Sequence, residues 1–154
     1  MNAYTQQYQQ NQILSASPEQ ILIMLYDGAI RFTRQAIAGV EEGDRLKKLE
    51  GTRRSMAIVT EFANTLDHEI GGEIAENLDA LYAFMTRELT VANINNDVSR
   101  YKVVENLLVD LRSTWVEAIE IKRSETAPAA NDSQAGAYAA QAGPENYRPL
   151  SASG

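Results

Sequence analysis

The stretch that most constrains this chain is Ser17-Pro18-Glu19-Gln20 followed by six apolar residues, Ile21-Leu22-Ile23-Met24-Leu25-Tyr26. Its first part is a helix start. The Ser17 hydroxyl can accept from the Gln20 backbone N–H while the Gln20 side chain reaches back to the Ser17 N–H. Pro18 falls at the first helical position, where a missing donor costs nothing. Ile13 and Leu14 before the cap, with Leu22 just inside, can form a staple that sets the angle at which the chain joins the helix. The six apolar positions then surround the helix cylinder, so more than one face must be covered. This spacing predicts a first helix from Pro18 to about Glu42, with Gly28 placed for close approach of a neighbour. Gly43 can take the left-handed conformation that ends it.

Three more helices follow from apolar residues recurring at three- and four-residue steps. The second is expected from Arg45 to about Leu66, with Leu46, Leu49, Met56, Val59, Ala63 and Leu66 as its core stripe. Asp67-His68-Glu69-Ile70-Gly71-Gly72 reads as a loop. The third helix is expected from Glu73 to Asn93, with a seam of Ile74, Leu78, Leu81, Met85, Leu89 and Ala92 that Tyr82 widens. Asn93 to Asp97 reads as a turn, in which Asn96 or Asp97 can cap the next helix. The fourth, Val98 to Arg123, carries Tyr101, Val104, Leu108, Leu111, Trp115, Ala118 and Ile119 inward. No strand pattern occurs. Four amphipathic helices with short breaks define an all-α, antiparallel up-down four-helix bundle.

The chain therefore divides into an N-terminal arm (1–16), a bundle (17–123) and a tail (124–154). The arm is rich in Gln, Asn and Tyr without helical period and is expected to be flexible. The tail is rich in Ala, Gly and Pro. It has too few large apolar residues to offset its ordering entropy and is expected to be disordered.

Composition removes several functions. A net charge of −7 leaves no basic excess to release counterions from nucleic acid, and an anionic membrane surface would repel the chain. No apolar run reaches the roughly 18 residues of a membrane span, and the N-terminus lacks a signal-peptide pattern, so the residues read as a cytoplasmic protein. With no cysteine and only His68, neither a zinc site nor the paired Glu-x-x-His motifs of a di-iron bundle can be assembled. A haem would need core-facing ligands, whereas His68 falls in the expected loop. No cofactor is expected. Glu41, Glu42, Asp67 and Glu69 are paired carboxylates without a partner base and read as solvated charges, so an enzyme is not expected. His68 bears a passing likeness to a phosphotransfer histidine. A Gly pair follows it, however, and Glu69 would repel phosphate, which makes this the third reading.

What remains is surplus apolar surface. Leu22, Leu25, Leu49, Met56, Val59, Leu78, Leu81, Met85, Leu108, Leu111 and Trp115 lie on the central seams and are expected in the core. Ile58, Phe62, Tyr82, Val103 and Leu107 lie off the best stripes. They are expected to form apolar shoulders suited to a partner segment, or alternatively to homodimerisation.

The series Ser15-Ala16-Ser17-Pro18-Glu19-Gln20, Met24-Leu25-Tyr26-Asp27-Gly28-Ala29, Leu66-Asp67, Gly71-Gly72-Glu73-Ile74-Ala75, Asn77-Leu78, Leu81-Tyr82, Leu89, Ala92-Asn93 and Trp115 resembles the flagellar secretion chaperone family, FliS. The resemblance covers roughly residues 4 to 120, and the long tail departs from it. It implies a cytoplasmic bundle that binds the disordered C-terminal region of flagellin along apolar grooves. Binding would prevent premature polymerisation and present the cargo to the export gate protein FlhA. It also implies an N-terminal arm able to lie over part of the cargo surface, here through Tyr8, Ile13 and Leu14.

Overall fold

The computed structural model describes residues 17–126 as four helices: α1 (Pro18–Glu42), α2 (Arg45–Asn64), α3 (His68–Asn95) and α4 (Val98–Glu125). Residues 1–16 and 127–154 lie outside the described residues, and with them the arm and nearly all of the tail. The chain divides into two compact units between Val109 and Asp110. The first contains α1, α2, α3 and the opening turns of α4. The described part of the second is the rest of α4, whose last turn carries Lys122 and Arg123, suited to the negative end of the helix dipole. Its final turn is closed by the Thr126 hydroxyl, which donates to Lys122 O at 2.9 Å.

The capping chemistry legible in the sequence is present. Ser17 N donates to Gln20 Oε1 at 2.9 Å and Gln20 N to Ser17 Oγ at 3.2 Å, the reciprocal pair expected at the start of α1. At its other end Gly43 adopts φ 69°, with Gly43 N donating to Val40 O and Asp44 N to Gly39 O. This arrangement satisfies the last carbonyls and turns the chain sharply. Asp44 then caps α2 by accepting from Lys47 N, and Asp97 caps α4 by accepting from Ser99 N. Asn96, one of the two expected caps, instead closes α3 in a left-handed conformation.

The segment 67–72 is not simply a loop. Asp67 Oδ1 accepts from Glu69 N and Ile70 N, and two captured donors suffice to start a helical turn at His68. Gly72 (φ 49°, ψ −123°) interrupts that turn before α3 proper runs on from Glu73. At the other end of the fold α4 continues through Glu125, two residues past the expected stop.

Within the first unit α1, α2 and α3 run alternately up and down, as Phe62–Tyr82 and Lys48–Asn93 show for α2 and α3. Along α1 and α2 the contacts Tyr26–Phe62, Gly28–Ile58, Thr33–Ser55, Gly51–Ala36 and Gly39–Lys48 pair rising numbers with falling ones. The two backbones approach closely at Gly39 and Gly51. A Cβ on Gly39 would lie 2.4 Å from Lys48 N, and one on Gly51 would lie 2.6 Å from Phe32 O. At Gly28 an added Cβ would meet Ile58 Cδ1 at 3.4 Å, an ordinary contact, so close approach is concentrated lower on the hairpin than the sequence reading placed it.

The buried interior of the first unit comprises Tyr26, Ala29, Ile30, Ala36 and Ile37 of α1, Val59 and Phe62 of α2, Ala75, Tyr82, Met85, Leu89 and Ala92 of α3, and Tyr101, Val104 and Leu108 of α4. Val59, Met85 and Leu108 sit where the periodicity placed them. Leu22, Leu25, Met56, Leu78 and Leu81 are only half-buried. On α2 the expected stripe holds at Val59 and fails at its start. Leu46 is 79% exposed and Leu49 lies at the surface, while the inward face is Lys48, Thr52, Ser55, Val59 and Phe62. That face is largely polar, and its groups are hydrogen-bonded: Thr52 Oγ1 donates to Lys48 O and meets Tyr101 OH at 2.7 Å, while Ser55 Oγ meets Thr33 Oγ1 at 2.7 Å.

Candidate binding surface

The residues singled out as shoulders are treated differently by the structure. Tyr8, Ile13 and Leu14 lie outside the described residues. Phe62 and Tyr82 are not on an open shoulder: they are 4% and 3% exposed. The Phe62 ring stacks on Tyr26 with centroids 4.3 Å apart and lies 5.5 Å from the Tyr82 ring. The Tyr26 and Tyr82 hydroxyls meet at 2.6 Å, so two buried phenols satisfy each other and tie α1 to α3. Burial, and then the hydrogen bond with Tyr26, push the Tyr82 phenol far above its ordinary pKa. Ile58, one turn before Phe62, is half-buried beside Gly28; Leu107 is half-buried and Val103 is exposed.

The large apolar side chains that do face outward are Leu46, Leu49, Ile70, Ile74, Ile94 and Val103. Two groups stand out. Leu46, Leu49 and Ile94 belong to the end of the bundle where α2 starts and α3 finishes, fixed there by Lys48 Nζ donating to Asn93 O and Asn96 Oδ1. Ile70 and Ile74 flank the Gly72 break at the start of α3, with Ile70 87% exposed. The sequence pattern puts Leu46, Leu49 and Ile74 on core seams and Ile70 and Ile94 in a loop and a turn, whereas all five side chains are exposed. A signal existed for Ile70: it follows Asp67 by three residues, the spacing at which a capping oxygen captures a donor and builds a turn.

Charged groups surround these apolar positions without forming a reaction centre. Arg53 and Arg54 both hold Glu50 from the solvent side of α2, and their hydrogen bonds keep its carboxyl below the usual carboxylate range. Arg34 reaches from α1 to Glu105 of α4, and Arg100 pairs with Glu88 of α3 at 3.0 Å. His68 is exposed between Asp67 and Glu69. Among the described residues no three His, Cys, Asp or Glu side chains could hold a metal ion, and no helix is long and apolar enough to cross a membrane.

The fold and the surface define a helical bundle that offers apolar contact. Residues 1–122 match the sequence profile of the family described as Flagellar protein FliS. The flagellar secretion chaperone FliS of Bacillus subtilis (strain 168) is 36% identical over 80% of this chain and 91% of its own length. That of Salmonella typhimurium is 38% identical over 75% of this chain and 86% of its own length. The flagellar secretion chaperone FliSB of Pseudomonas aeruginosa is 32% identical, covering 75% and 91% respectively. The chain belongs to the FliS family of flagellar secretion chaperones. It is thus a member of a chaperone family rather than of an enzyme family.

Proposed function

We propose that this chain is a cytoplasmic export chaperone that binds the C-terminal segment of flagellin, keeps it from polymerising early and delivers it to the export gate protein FlhA. Family membership carries this reading. It is supported by the large apolar side chains left at the surface of the described helices. Masking requires no bond to be made or broken. A segment that orders only when bound loses conformational entropy, so it needs a long apolar contact to recover that loss. Covering Ile70, Ile74, Ile94 and Val103 supplies part of it, at roughly 25 cal/mol per Å² of apolar area removed from water. Ile58, Val103 and Leu107 of the bundle, with Tyr8, Ile13 and Leu14 of the N-terminal segment, are the further side chains assigned to client contact. Phe62 and Tyr82 act behind them by holding α1, α2 and α3 in place.

Calorimetry of the full chain with flagellin, intact and lacking its C-terminal segment, tests the reading. Binding by the intact protein alone is expected, and equal binding by both forms would remove the C-terminal segment as client.

A further inference from the structure

The ends of α1, α2 and α3 bound a cavity of about 560 Å³ whose wall includes Val40, Arg45, Lys48, Leu49, Asn93 and Ile94. Lys48 is the unusual member. It is 8% exposed, and its ammonium donates to two neutral oxygens, Asn93 O at 3.0 Å and Asn96 Oδ1 at 2.8 Å. An ammonium has three N–H donors. Among the described residues the third has no acceptor, and no carboxylate forms an ion pair with the charge. Lys47 next door shows the contrast, being paired with Glu42 at 2.9 Å. The carbonyl end of α3 offsets part of the cost of this part-buried cation, and with no carboxylate paired to it the site can still receive an incoming anion. Arg45, on the same wall and exposed, likewise has no ion-pair partner among the described residues.

Two further features narrow the anion. Asn93, on the same wall, has a buried Oδ1 without a hydrogen-bond partner, an acceptor still to be matched. The remaining wall is apolar: Val40, Leu49 and Ile94, the last 71% exposed. A matching ligand therefore combines a negative charge, an N–H donor and an apolar group within a few ångströms. The end of a polypeptide can supply all three: its terminal carboxylate, the backbone N–H of its last residue and an apolar side chain at or beside that residue. An inorganic anion would leave the apolar wall and Asn93 unmatched.

We propose that this cavity seats the free C-terminal carboxylate and last apolar side chain of the bound client. The inference rests on the client reading above and adds the end of the segment to it. Lys48 and Arg45 would hold the carboxylate, Asn93 would accept from the terminal N–H, and Val40, Leu49 and Ile94 would cover the side chain.

The test uses the full chain and a synthetic peptide of the flagellin C-terminal segment, made with a free carboxylate and with a C-terminal amide, which lacks the terminal charge. The amide is expected to bind about tenfold more weakly. Arg45→Gln should narrow that gap, and Lys48→Met should abolish it, with helical content checked by circular dichroism because Lys48 also ties α2 to the end of α3. Ile94→Ser, at a mostly exposed position, should keep the fold and weaken both peptides alike. Equal binding of acid and amide by the unaltered chain would overturn the seat and leave the client reading standing. Absence of binding by either peptide would overturn both. An unchanged gap in Arg45→Gln and in folded Lys48→Met would place the carboxylate elsewhere and overturn the seat.

Discussion

The α1–α2 hairpin and the start of α3 solve opposite problems with similar residues. In the hairpin, glycines at positions 39 and 51 bring two backbones nearly into contact, and the polar groups trapped there are matched, Thr33 to Ser55 and Thr52 to Tyr101. At the start of α3, Gly71 and Gly72 bring no second helix close; the turn they end carries Ile70 into solvent. The difference teaches that polarity and exposure part company in these two regions: hydroxyls and a lysine lie on the inward face of α2 while Ile70 and Ile74 lie outside. The interior specifies one register through paired hydrogen bonds. The surface keeps apolar area available.

The sharpest way to break this comparison is Phe62→Glu. A carboxylate forced between Tyr26 and Tyr82 has no partner, and such burial belongs to the rare class that costs more than about 4 kcal/mol. Cooperative loss of helical signal on mild heating is expected. An unchanged melting curve would return Phe62 to the surface shoulder that the sequence suggested.

Next in size is Gly51→Ala, whose methyl group would press on the backbone at Phe32 and Ala36 and should cost about 1–3 kcal/mol in urea unfolding. Its counterpart Gly28→Ala meets only a side-chain terminus at ordinary distance. It should gain up to about 1 kcal/mol from helix propensity. Equal effects at the two positions would dissolve the distinction between a close seam and a loose one.

Thr33→Val leaves the Ser55 hydroxyl without its partner and should cost about 1–3 kcal/mol. Adding Ser55→Ala should cost less than the sum of the two single changes, and strict additivity in that double-mutant cycle would show that the pair is not coupled. The smallest stability effect belongs to Ile70→Ser, expected within about 0.5 kcal/mol of the unaltered chain because the side chain is already in water. Its consequence should appear in client affinity measured by calorimetry, and unaltered affinity would remove the α3 turn from the binding surface.

The boundaries at Ser17, Gly43 and Asp97 were readable because caps are local chemistry, each acting within a turn of its own position. The inward face of α2 was not readable, because periodicity counts apolar residues and this face buries Lys48, Thr52 and Ser55 instead. Their partners, Asn93, Tyr101 and Thr33, are distant in sequence, and only the fold brings them together. The same limit explains the candidate surface. Phe62 and Tyr82 look like surplus until Tyr26 stacks and bonds with them, whereas Val103 has no such partner and is 41% exposed. Lys48 had no sequence signal as part of a cavity, since a lysine in a helix ordinarily reads as a solvated charge.

The backbone break at Gly72 has a consequence for how such a chaperone can change over time. Tyr82, Met85 and Leu89 keep their inward phase by counting along uninterrupted helix from Glu73 onward. An insertion, deletion or exchange between Asp67 and Gly71 falls before that count begins, so it shifts no interior residue to the wrong side of α3. The short turn bearing Ile70 can therefore drift to suit a changed client while the rest of the chain inherits its interior unaltered.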